Sequence, residues 1–339
     1  MKGHFNNERD FGVEIEFLRP SQTTQEEIAN ALRGMGVECR VEGYNHTTRT
    51  HWKIVSDSSV SSHRNGLYGD NELVSPRLKG QEGLDELEKV CQTLQLLGCE
   101  VNRTCGIHIH HDVTNIVRES DSVAKKFITN LVLFCAKYEN IIYKLVSPSR
   151  IDGRGYSIPV RRTFFSRGEL SRVFQNDPLS VTNLKSGLVN KVVRIVNDKV
   201  MNTRLQTNRC CGLNLMNIWS RGSVEFRYHN GSLSFKKIKS WIVVTNAIVN
   251  SVETTNFVKL SNVPNGSSGL ASFRGAIGFV GRSGNQDGTP YTNDQLTKDA
   301  NLFIQRRYRA NNNRTDQYES HYDYRYVSGG MFNSTNGER

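Results

Sequence analysis

Short apolar runs in this chain carry acids and imidazoles at alternate positions. Phe11-Gly-Val-Glu-Ile-Glu-Phe17 holds Glu14 and Glu16, and Cys105-Gly-Ile-His-Ile-His-His-Asp112 holds His108, His110 and Asp112. In a strand successive side chains point to opposite faces, so Phe11, Val13, Ile15 and Phe17 bury on one side while the two glutamates share the other. Two further runs, Glu72-Leu-Val-Ser-Pro76 and Val224-Glu-Phe-Arg-Tyr-His229, add Glu72, Glu225 and Arg227. Carboxylates gathered on one sheet face repel one another and resist desolvation unless a cation sits among them. The chemistry this points to is a centre that holds more than one metal ion.

Each of these residues has a duller reading. A single Glu-x-Glu is commonly a solvated strand edge, but recurrence of acids or imidazoles in four segments is not what surface decoration produces. His108 and His110, on one face with Asp112, fit metal ligation better than isolated hydrogen-bonded histidines do. Arg227 either neutralises Glu225 or meets developing charge on a reactant. Asp57, followed by Ser58 and Ser59, could orient an incoming amine, support a metal ligand from outside its coordination shell, or cap a turn. Arg150, Tyr156, Arg161, Arg162 and Arg209 form a cluster suited to an acidic substrate or to phosphates. Glycine spacings between Gly266 and Gly288 form no Walker loop, because no Gly-Lys-Ser/Thr follows.

The elements that must position these groups are legible from periodicity. Val123, Phe127, Leu131, Phe134, Tyr138, Ile141 and Leu145 predict a helix over 121–146, with Asp121 as its N-cap. Leu84, Leu87, Cys91 and Leu94 predict a second that stops at Gly98, Ile238 to Val252 a third, and Thr24 to Met35 a shorter fourth. Strands and helices do not alternate regularly, so the reading is α+β, an antiparallel sheet with helices on one face and an open, polar active-site face. The expected division is a catalytic domain over 1–260 and a Gly/Asn-rich appendage over 261–339, a lid or a partner-binding arm, in which Phe273, Ile277, Phe279 and Val280 could still pack. No internal repeat favours a solenoid.

With 339 residues, 37% of them hydrophobic, the chain can bury a substantial core. No apolar run reaches the ~20 residues that span a bilayer, and the first residues lack the apolar stretch of a secretory signal, so a cytoplasmic protein is expected. Seven cysteines, none spaced Cys-x-x-Cys, read as reduced and mostly buried thiols. The net charge of +11 is concentrated between Lys144 and Arg209, where 13 Lys and Arg stand against 4 acids. That stretch should meet an anion, but it carries no nucleic-acid motif and few interleaved aromatics, and a nucleotide triphosphate or phosphorylated intermediate fits equally well.

Taken together, the segments at 11–17, Trp52 with Asp57-Ser-Ser, Glu72-Leu-Val-Ser-Pro76, Cys-Gly-Ile-His-Ile-His at 105–110, Tyr138-Glu139, Ser149-Arg150 and Val-Glu-Phe-Arg at 224–227 support a broader assignment. Over about Phe11 to Val252 the chain resembles the amidoligase family, in the glutamine synthetase-like group of carboxylate-amine ligases. The resemblance implies a glutamine synthetase-like catalytic fold and ATP-dependent joining of a carboxylate to an amine through an acyl phosphate. It implies that Glu14 and Glu16 ligate two different Mg²⁺ or Mn²⁺ ions, with Glu72 completing one site and His108 and Glu225 the other. His110 would touch ATP phosphate, Arg227 would stabilise the transferring phosphoryl group, Asp57 would be catalytic, and Arg150 and Arg209 would bind the nucleotide. The substrates would be amino acids, peptides or protein side chains. His111-Asp112 and the long C-terminal segment depart from the family pattern. The competing readings are a metal-dependent hydrolase or phosphoesterase, and a noncatalytic nucleic-acid or assembly protein using residues 144–209.

Overall fold

The computed structural model describes residues 5–62, 65–150, 157–160, 163, 209–256, 258, 266–279 and 295–312. Seven strands form one sheet: β1 (Phe11–Pro20), β2 (Cys39–Val41), β3 (Trp52–Val55), β4 (Leu67–Val74), β5 (Gly106–Asp112), β6 (Leu213–Asn214) and β7 (Ser223–Asn230). Their order is β2-β3-β4-β1-β5-β7-β6, and every pairing is antiparallel except β2 with β3. The fold is therefore α+β with a mostly antiparallel sheet. The four segments singled out in sequence supply its four adjacent central strands, β4, β1, β5 and β7.

Helices α1 (Gln25–Gly34), α2 (Gly80–Leu96), α3 (Thr114–Val117), α4 (Asp121–Lys144), α5 (Ile218–Arg221), α6 (Phe235–Thr254), α7 (Gly266–Ala276) and α8 (Gln295–Asn312) surround it. Thr24 starts α1 with a capping box closed by Glu27. α4 is capped by Ser120 rather than Asp121: the Ser120 hydroxyl accepts from the Val123 amide at 3.2 Å, while Asp121 sits in the first turn, where a carboxylate complements the helix dipole. α6 is the central helix, packed on α2, α4, α8 and β5. Its Thr245 hydroxyl lies 2.8 Å from His111 Nε2, so the residue that departs from the family pattern at 111 faces the core and not the polar side.

The core face of the sheet is built from Phe11, Val13, Ile15, Phe17, Leu73, Ile107, Ile109, Val224 and Phe226, as alternation requires. Beyond residue 260 the structure differs from a detached appendage. Phe273, Ile277, Phe279, Ala300, Ile304 and Tyr308 belong to the same hydrophobic core as the sheet, and α7 and α8 pack on α4 and α6. Val280 lies outside the described residues, as do Tyr156, Arg161, Arg162 and most of the basic 144–209 stretch. All seven cysteines are free thiols, six of them buried. Among the described residues no helix is long and apolar enough to cross a membrane.

Candidate active site

Register places the chemistry in three rows across the polar face. Directly paired residues of antiparallel strands project their side chains to the same side. Lys53, Val74, Glu14 and His108 make one row across β3, β4, β1 and β5. Val55, Glu72 and Glu16 make the next. Gly12, His110, Glu225 and Asn214 make the third, on the other side of the Glu14 row. β7 carries a bulge here, so that Arg227 and Tyr228 together oppose His108, and the bulge turns Arg227 toward the cluster.

The side chains meet closely. His108 Nδ1 is 2.8 Å from Glu14 Oε2, and His108 Nε2 is 3.4 Å from Glu16 Oε1. His110 Nε2 is 3.0 Å from Glu14 Oε1. Arg227 donates to Glu225 Oε1 at 2.5 Å, and Asn214 donates to Glu225 Oε2 at 2.6 Å. Three triads, Glu14/His110/Glu225, Glu14/Glu72/His108 and Glu16/Asp57/Glu72, each place donor atoms within 4.8 Å of one another. The face is polar but not widely open, since His108, Glu16 and Glu225 are only 1%, 3% and 4% exposed.

Electrostatics in the cluster are uneven in a way that suits a cation. Burial pushes the Glu72 carboxyl well above the usual range, and Glu14, Glu16 and Asp57 push it further in the same direction. Burial acts on Glu14 likewise, but the imidazoles of His110 and His108 outweigh it and hold that carboxyl well below its ordinary value. Burial would lower the His110 imidazole, yet Glu14 and Glu225 carry it above its usual value. Burial would also lower Arg227, but Glu225 and Glu14 keep it firmly protonated. Five carboxylates around two imidazoles are thus compensated only in part by the protein's own cations. Such a donor set of carboxylate oxygens and imidazole nitrogens fits divalent ions.

The sequence-predicted residues fall into distinct positions. Glu14, Glu16, Glu72, His108, Glu225 and Arg227 come together as one cluster. His110, expected at a phosphate, shares a donor triad with Glu14 and Glu225. Asp57 sits inside a donor triad while its Oδ1 also accepts the Ser59 amide at 2.8 Å, so turn capping and a place at the cluster are compatible. Arg150 is buried in the wall, donating to the Arg227 carbonyl at 2.8 Å. A Cβ at Gly106 would lie 2.9 Å from His108 Nε2 and 3.3 Å from both Glu16 Oε2 and the Arg150 guanidinium, so glycine is needed for these groups to converge. Arg209 is exposed in the turn before β6 and makes no ion pair with the cluster among the described residues.

A cleft opens from Glu14, Glu72 and His110 toward one end of the sheet. Its lining includes Gly12 and Val74, where the acidic face carries no polar side chain, and Lys53, which sequence reasoning passed over. The Lys53 ammonium, 3% exposed, donates to Asn45 O and Oδ1 at 2.8 Å and to Thr47 O at 3.0 Å, fixing the loop that walls the cleft. Its sequence signal is a lone cation inside the otherwise apolar strand Trp52-Lys-Ile-Val55.

A multi-carboxylate centre at the middle of a mostly antiparallel sheet, opening into a cleft, defines a candidate metal-using enzyme site. The model of the family described as "Putative amidoligase enzyme" matches residues 7–249, and the chain belongs to this family. All four strands bearing the cluster fall within the match. No curated protein matches the chain in sequence. Among solved structures, a bifunctional glutathione synthetase from Pasteurella multocida is 12% identical with a TM-score of 0.41, a loose likeness. The match covers 91% of this chain and 48% of that one, so the chain spans about half the length of that synthetase.

Proposed function

We propose that this protein joins a carboxylate to an amine at the expense of ATP, through an acyl phosphate, on a glutamine synthetase-like fold. The observation that carries this reading is the convergence of Glu14, Glu16, Asp57, Glu72, His108, His110 and Glu225 on one buried face within the family match. A carboxylate attacking ATP is a meeting of anions, and bound Mg²⁺ or Mn²⁺ would neutralise that charge and align the reacting oxygens. Glu16, Glu72 and Asp57 would hold one ion, and Glu14 with His108, His110 and Glu225 would hold another. Arg227, planar and permanently charged, would meet charge that grows on the phosphoryl oxygens. Arg150 would position Arg227 through its carbonyl. Exclusion of water by the buried wall protects an acyl phosphate from hydrolysis.

The test is mass spectrometry of mixtures of amino acids and amines incubated with the protein, ATP and Mg²⁺. A product lighter by one water than the sum of two reactants, formed with stoichiometric ATP consumption, is expected. Glu14→Gln should lower the rate by about 10² or more, as loss of a charged group from a preorganised site does. Turnover that needs neither ATP nor an amine would instead identify a metal-dependent hydrolase. Unchanged ATP consumption in Glu14→Gln would remove the cluster from the chemistry.

A further inference from the structure

The cleft has a second end. Because β1, β4, β5 and β7 are mutually antiparallel neighbours, the start of β1, the end of β4, the end of β5 and the start of β7 meet at one edge of the sheet. There the cleft is lined by Asp10, Arg77, Asp112, Arg221 and Ser223. The Asp112 amide donates to the Asp10 carbonyl at 3.0 Å, which sets the two acids side by side. Arg77 Nη1 lies 3.8 Å from Asp10 Oδ2 and 3.6 Å from Asp112 Oδ2. Those distances are too long for hydrogen bonds, and the Arg77 side chain is 57% exposed, so this bridge is weak and readily exchanged. Asp112 Oδ1 is occupied by the Thr114 amide and hydroxyl, leaving Oδ2 to face the cleft. Arg221 is exposed and has no carboxylate partner among the described residues.

Two acids and two arginines at one mouth, with Ser223 between them, match a ligand that carries both charges. Asp112 stands two residues beyond His110 on β5, about 7 Å along the strand, and four beyond His108, about 13 Å. The floor between is Gly12 and Val74, which offer no polar side chain to stop an extended group.

From this geometry we infer that the rim seats the zwitterionic end of an α-amino acid with a long polar side chain. The ammonium lies against Asp10 and Asp112 and the carboxylate against Arg77 and Arg221. The side chain passes over Gly12 and brings its terminal amine or carboxylate to Glu14 and His110. The inference rests on the ligase reading for the identity of one reactant, and it adds which end of that reactant is recognised.

The experiment measures binding in the absence of ATP, so it does not depend on turnover. Isothermal titration of the full-length protein with Mg²⁺ is carried out with L-lysine and L-glutamate, each compared with its Nα-acetyl form and its α-methyl ester, and with cadaverine. At least one free amino acid should bind at millimolar concentration, and blocking either α-group should weaken it tenfold or more. Asp10→Asn and Arg221→Gln, both at the rim of the cleft, should weaken it similarly while circular dichroism and melting stay unchanged. The inference is overturned if neither amino acid binds, if blocked forms or cadaverine bind within twofold of the free amino acid, or if both variants bind normally. Rim-dependent binding without any ATP-dependent product would overturn the ligase reading alone. ATP-dependent joining that tolerates α-blocked reactants would overturn the rim assignment alone.

Discussion

β1 presents two environments on its two sides, one residue apart. Val13, Ile15 and Phe17 pack into an apolar core, while Glu16, nearly as buried, and Glu14, partly exposed, hold their carboxylates among other carboxylates on the opposite face. The first face lowers the free energy of the folded chain through burial, roughly 1.5–3 kcal/mol for each large aliphatic or aromatic side chain. The second face works against folding until a cation arrives, because like charges are desolvated together there. One strand thus carries both the source of stability and the site that draws on it, and the period-2 pleat keeps them apart.

The largest expected difference between the faces comes from removing a core side chain. Ile15→Ala leaves a cavity between β1 and the helices, where Ile15 is fully buried. It should cost about 2–5 kcal/mol, read as a lower denaturation midpoint with or without Mg²⁺. A loss below ~1 kcal/mol would mean that this face collapses easily and contributes less than its burial suggests.

A smaller effect, of opposite sign, is expected across the strand pair. Glu72→Gln keeps shape while removing a carboxyl that burial and Glu14, Glu16 and Asp57 already disfavour as an anion. The metal-free protein should gain about 0.5–2 kcal/mol near neutral pH, and the rise in Tm on adding Mg²⁺ or Mn²⁺ should shrink or vanish. A Tm that falls in the metal-free variant, or a metal response equal to wild type, would show that Glu72 is satisfied within the protein.

The two faces were not equally legible in the sequence. Alternation at 11–17 and 105–112 defined both faces of β1 and β5, because period 2 is a local property of a strand. α4 and α6 followed from 3.6-residue periodicity, since each is long and apolar on its buried side. Lys53 was passed over because its role depends on a loop carbonyl and a cross-strand register that no local pattern records. Asp57 was placed near the chemistry, but its inclusion in a triad with Glu16 and Glu72 required the fold. α7 was hidden by a Gly- and Ser-rich composition that resembles a linker, whereas α8 has neither residue and carries Leu296, Ala300, Ile304 and Tyr308 at helical spacing, a pattern masked only by its many polar neighbours; Phe273, Ile277, Ala300 and Ile304 close the core against α4 and α6. Helices this polar owe their stability to tertiary packing rather than to propensity. The burial of Arg150 against the Arg227 carbonyl has no local sequence signal, since spacing cannot show where a guanidinium sits relative to a bulge.

The smallest effect expected is a pH slope, and it distinguishes the two faces most sharply. Glu72 and His110 have folded-state values raised above their ordinary ones. A group of that kind contributes stability that is fully present below its unfolded value and is lost as pH rises through its folded value. On the core side, His111 and His229 are depressed by burial, so their contribution is present above the unfolded imidazole value near ~6.5 and is lost only as pH falls. Glu14, also depressed, matters only on the acidic side of the ordinary carboxylate range. The buried thiols Cys39 and Cys91, pushed up to about 12, enter only once the unfolded thiol ionises, near ~8.5. Between about pH 6.5 and 8 the acidic face therefore pulls stability down as pH rises, while the last part of the unfolded-state titration of His111 and His229 pulls it up, so the contribution of the acidic face is read as the difference between the chelator-treated protein and its Glu72→Gln variant. With Mg²⁺ the ligands must be deprotonated to bind, so the contribution of the acidic face should reverse sign. Denaturation midpoints of wild type and Glu72→Gln measured in EDTA and in Mg²⁺ across that window provide the comparison, the variant lacking the downward contribution of Glu72. A chelator-treated profile that runs parallel to that of Glu72→Gln would mean that Glu72 and His110 share one proton whose binding folding does not change.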